Sequence, residues 1–105
     1  EMSRLSTNCA IETRADVGTG AVALSAAAAS ADFDDVNNRV TVSLAALLAA
    51  GVGDPVTVKK ADANSFTGYI LSDAQAPKYV IGWKEGATNQ PTAYTDFTTA
   101  STVTA

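Results

Sequence analysis

Short runs of alternating β-branched residues, each closed off by turn formers, constrain this chain more than any other feature. Arg39-Val40-Thr41-Val42 and Val56-Thr57-Val58-Lys59-Lys60 alternate apolar and polar positions. Phe66-Thr67-Gly68-Tyr69-Ile70-Leu71 follows, and Lys78-Tyr79-Val80-Ile81-Gly82-Trp83 places Tyr79, Ile81 and Trp83 on one face. A period of two, filled with Val, Ile, Thr and aromatic residues, suits a half-buried pleated strand. Between the runs lie Asp32 to Asn38, Gly53-Asp54-Pro55 and Asp62 to Ser65. Asp and Asn side chains in such stretches bond their own backbone and tolerate left-handed conformations. Strands spaced roughly 8–12 residues apart with turns between them predict a mainly β fold, a small antiparallel sandwich or barrel.

Weaker signals fill in the rest. Residues 20–25 read as a strand leading into the alanine run Ala26 to Ala29. Gly68 inside a strand marks a bulge or a close approach. Asp73 to Pro77 reads as a loop, and Lys84-Glu85-Gly86 as the close of a hairpin. Thr92 to Val103 reads as extended, anchored by Tyr94 and Phe97. The spacing predicts one short α-helix at about 43–50. Ser43 would cap it, Leu44, Leu47 and Leu48 would share a face, and Gly51 would end it. On this reading Leu47→Asp unfolds the domain by burying an unpaired charge.

At 105 residues the chain supplies one domain. Residues 17–105 form a single β-rich unit and residues 1–16 an extended N-terminal arm that a neighbour would order. Arg4, Leu5, Ile11 and Arg14 are the arm's candidate contact residues, and Trp83, beside a turn, is the candidate nearest the surface of the body. Glu1 ahead of Met2 reads as a remnant or a cleavage scar. A start at Met2 would leave no signal peptide, and no apolar run is long enough to span a bilayer. The single cysteine, Cys9, reads as a small apolar side chain, and an odd cysteine suits a reducing compartment.

Composition closes several functional classes. The chain has no histidine, which removes the Ser-His-Asp triad and most common zinc sites. A formal charge of −4 argues against binding nucleic acid through its phosphates. Gly18-Thr19-Gly20-Ala21-Val22-Ala23 matches a loose dinucleotide-loop pattern, but the antiparallel reading leaves it no strand–helix setting. No catalytic residue and no cofactor site is assigned. Asp32, Asp34 and Asp35, with Asn37 and Asn38, place hard oxygen ligands close together. They fail the EF-hand pattern and read as a solvated turn, with an irregular calcium site as the lesser reading. Tyr69, Tyr79, Trp83, Tyr94 and Phe97 read as core before they read as a sugar platform. Lys59, Lys60, Lys78 and Lys84 hold the positive charge of the second half against the acids at 32–35. That asymmetry offers self-complementary charges between identical subunits, against a plain solvated surface.

Charged residues make up 17% of the chain, below the ~25% usual for globular proteins, while alanine and threonine abound. An exterior so sparsely charged expects protein against it. The expectation is a non-enzymatic structural subunit of an assembly, of the kind that decorates or cements a phage capsid. It would partner itself and a larger shell protein, with neither nucleic acid nor membrane, in a virion made in the host cytoplasm. The rival is an extracellular β-domain that binds carbohydrate or protein, and a small acidic inhibitor ranks third.

Overall fold

The computed structural model describes residues 20–105. The arm assigned to 1–16, with Arg4, Leu5, Cys9, Ile11 and Arg14, lies outside the described residues. Seven antiparallel strands form one sheet: β1 Val22–Ala23, β2 Phe33–Asp34, β3 Arg39–Ser43, β4 Pro55–Lys59, β5 Ser65–Gln75, β6 Lys78–Gly82 and β7 Thr102–Thr104. Their order is β1-β7-β4-β5-β6-β3-β2. The mainly β expectation therefore holds, and of its two forms the barrel is the one adopted. Beyond Ala23, Leu24 bridges Leu44 at the end of β3. Ser25 N donates to Ser43 O and Ala45 N to Ala23 O, at 2.8 and 2.9 Å. On its other flank, Leu24 N donates to Ser101 O. This seam joins the two sides of the sheet.

Alternation fills the inside. Val40 and Val42 of β3, Val56 and Val58 of β4, Phe66 and Ile70 of β5, Tyr79 and Ile81 of β6 and Val103 of β7 are all buried. A barrel this small has room only for side chains, so its interior is a core and not a channel. Phe33, Phe66, Trp83 and Phe97 form an aromatic cluster. Phe33 stacks on Trp83 at 5.8 Å between centroids, and Phe66 meets Trp83 edge-on at 5.6 Å. Gly68 faces this interior, and a Cβ there would lie 2.7 Å from Ile81 Cγ2. The expected close approach at Gly68 is present.

Four expectations need correction. No helix forms at 43–50. Ser43 ends β3, and the amides that a helix would turn inward go to distant partners instead. Leu44 N donates to Pro77 O, Ala45 N to Ala23 O and Leu48 N to the Tyr79 hydroxyl at 3.0 Å. Leu44 and Leu48 are buried, but Leu47 is 46% exposed, so the three leucines do not share a face. Asp73 to Gln75 continue β5, leaving only Ala76-Pro77, joined by a cis bond, for the turn into β6. Lys84-Glu85-Gly86 opens a long loop and closes no hairpin. Thr92 to Val103 is extended only at β7; before it come a 3₁₀ turn at Tyr94–Asp96 and a loop.

Candidate interaction surface

The outer face of the sheet carries a registered row of side chains. Asp34 of β2 pairs with Arg39 of β3, Arg39 with Gly82 of β6, and Gly82 with Tyr69 of β5. Gly82 leaves a gap between Arg39 and Tyr69. Leu71 floors that gap. In β5 the register runs Ile70 to Ile81 and then Ser72 to Val80, so Leu71 is an extra, bulged residue. The bulge turns its side chain over Gly82, where a Cβ would meet Leu71 Cδ1 at 2.7 Å. Lys84 Nζ stands 5.9 Å from the centre of the Tyr69 ring. The result is a hollow of about 430 Å³ with an apolar floor and two cations, Arg39 and Lys84, on its rim.

Beside the hollow is the β2–β3 turn. Asp34 holds it as an Asx turn: Oδ1 accepts the amides of Val36 and Asn37 at 3.1 and 3.0 Å, and Oδ2 accepts Asn37 Nδ2 at 2.7 Å. These bonds from Asn37, with a smaller contribution from Arg39, hold the Asp34 carboxyl below the usual aspartate range. At the turn's tip Val36 is 84% exposed, and Asp35 beside it is exposed too.

Two of the three acids considered for calcium are thus turned to other partners, and Asp35 is exposed. Asp34 serves the turn, and Asp32 Oδ2 accepts the Ala29 amide at 2.9 Å. Among the described residues no group of three His, Cys, Asp or Glu is placed to hold a metal. A wider depression, about 620 Å³, lies between the 47–54 segment and the β5–β6 turn. Leu47, Ala76 and Tyr79 line it, with Asp54 and Asp73 at its borders. No motif in the sequence places Asp54 and Asp73 around one depression. Asp54 Oδ2 already accepts the Gly51 amide at 2.9 Å.

Trp83, read as core and also as the aromatic nearest the surface of the body, is in the core and reaches the wall of the hollow. It is 6% exposed and part of the aromatic cluster, with Nε1 buried and without a hydrogen-bond partner among the described residues. Tyr79 and Phe97 are core as expected, whereas Tyr69 is half-buried and Tyr94 exposed. Val36, Leu71 and Gly82 were not marked as surface features by the sequence. The tight Asp34–Asn37 turn chemistry was the signal for the first, and the odd count between β5 and β6 is invisible without the partner strand. No helix among the described residues is long and apolar enough to cross a membrane. Comparison with protein-family models, with curated proteins and with solved structures returns no match.

Proposed function

We propose that this chain is a non-enzymatic structural subunit of an assembly, most simply a capsid-decoration or cement subunit of a phage particle that stabilises contacts between shell proteins. The observation that carries the reading is the amount of apolar side chain left outside a filled barrel. Val36, Leu47, Val52, Leu71 and Tyr94 are 41–84% exposed. They stand on a body whose charge is sparse. Burying such groups against neighbours returns the free energy that water withholds, at roughly 25 cal/mol per Å². Many equivalent copies then stabilise a shell by mass action. The barrel is the rigid body of the subunit, and residues 1–16 are its arm toward a neighbour. Its partners are copies of itself and a larger shell protein, in a virion built in the host cytoplasm.

Light scattering on the purified full chain, with limited proteolysis alone and on particles from the same source, tests the reading. Reversible self-association, or an arm protected only on particles, is the expected result. A monomer at every concentration that saturably binds an oligosaccharide or peptide would overturn it in favour of a binding module.

A further inference from the structure

We propose that the β2–β3 turn of one copy seats in the Gly82 hollow of a second copy, and the reverse, in a two-fold contact. The inference deepens the assembly reading by naming a surface between copies, and it rests on that reading for its purpose.

Three observations meet at this face. The turn is an apolar tip flanked by acid: Val36, the most exposed large apolar side chain among those described, next to exposed Asp35. The hollow is its chemical complement, with Leu71 on the floor and Arg39 and Lys84 on the rim. The turn is also already ordered by the three Asp34 bonds, so seating it costs little further conformational entropy.

Position decides the symmetry. Asn37 and Asn38 of the turn form the border of the hollow, so knob and hole lie side by side on one face. A chain cannot fill its own hollow, because the Asp34 bonds hold Val36 out in solvent. Two copies related by a two-fold axis fill both hollows at once, whereas a head-to-tail stack would leave a knob open at one end and a hole open at the other. In the two-fold contact Asp35 of each copy meets Arg39 of the other. The lobes are small against the ~1,600 Å² of a standard interface, so the free dimer is weak. Copies held close on a lattice reach effective concentrations in the mM range, where weak contacts form.

Sedimentation of the full chain from about 10 μM to about 1 mM, at low and high salt, tests this. Dimers are expected at the upper end, weakened about tenfold or more by Val36→Asp and by salt, which screens the charged rim. Asp35→Arg and Arg39→Asp alter exposed positions. Arg39→Asp also sets a second carboxylate opposite Asp34 and is expected to melt lower, so parent-like circular dichroism at the assay temperature is the check that both variants fold. Each alone should abolish self-association. Mixed one to one, they restore both Asp–Arg contacts and should form a heterodimer. A monomer throughout, a parent-like dimer in Val36→Asp or in either reversal, a mixture that stays monomeric, or growth past the dimer overturns the proposal. A dimer that behaves as described but binds no particle removes the assembly function and leaves this contact standing. Chains that bind particles as monomers do the opposite.

Discussion

Ala63 sits in the β4–β5 turn with φ at +73°, a left-handed conformation that an alanine adopts at a cost. Lys60 N bonds Asn64 O across the same turn, and Ala63 N bonds Lys60 O, so the backbone has no freedom to relax the strain. Glycine has no Cβ to clash there. Ala63→Gly is therefore expected to stabilise the protein by about 0.5–1 kcal/mol in spite of the larger unfolded-state entropy of glycine. Thermal unfolding checks it, and a lower melting temperature would place the strain elsewhere. Asp34 makes a second prediction at this scale. Its carboxyl is held below its ordinary value of 3.8 by the Asn37 and Val36 bonds. A lowered folded pKa means that the stabilisation is whole above the unfolded value and disappears as pH falls through the folded one. The melting-temperature gap between the parent and Asp34→Ala should be constant near neutrality and close progressively below about pH 4. A gap unchanged at pH 2 would mean that the carboxylate's charge contributes nothing to the turn.

Among the elements, the 44–51 segment separates what local pattern can decide from what it cannot. Its leucine spacing and terminal glycine satisfy every local rule for a helix. The outcome is set by contacts far along the chain: the seam with Leu24, the Pro77 carbonyl and the Tyr79 hydroxyl. Two helical turns contribute little stability of their own, so three well-placed tertiary bonds suffice to override them. The prediction for Leu47 accordingly reverses. Leu47→Asp is expected to fold with a change within about 1 kcal/mol, because the side chain is half in water. Leu44→Asp, which puts a charge at a buried seam position, is expected to unfold the domain. Circular dichroism and solubility of the two variants decide the matter; two unfolded proteins would restore the shared leucine face. The strands with strict alternation, Val40 to Val42, Val56 to Val58 and Tyr79 to Trp83, were legible because the inside of a barrel enforces the period of two. The bulge at Leu71 was not, since it exists only in the register between two strands. The hollow it floors was hidden for the same reason, although Arg39, Tyr69 and Lys84 were each in plain view.

For the molecule as a whole, closure is the property on which most depends. An open sheet would present the edges of its end strands, β1 and β2, as templates for other strands; here the Leu24–Leu44 bridge ties the end of β1 to the end of β3. Yet the closing contact is narrow. One residue pair, Leu24 with Leu44, and three bonds, Ser25 N and Ser25 Oγ to Ser43 O and Ala45 N to Ala23 O, hold it. By contrast β3 and β6 pair over five residues, from Arg39 with Gly82 to Ser43 with Lys78. Stability is distributed unevenly in such a structure, and the part with fewest bonds opens first. The amides of Ser25 and Ala45 should therefore exchange with solvent deuterium by a local opening. Their protection should be at least about tenfold lower than that of the β3–β6 amides, a difference of about 1.4 kcal/mol. Equal protection would mean that the seam breaks only when everything does, and that the leucines on its inner side, rather than its hydrogen bonds, set its strength. Local opening carries a further consequence for an assembling subunit. Each time the seam parts, Ala23 O and Ser43 O lose their partners and become acceptors for another chain. The least stable joint of the barrel is then also the place where added backbone could pair.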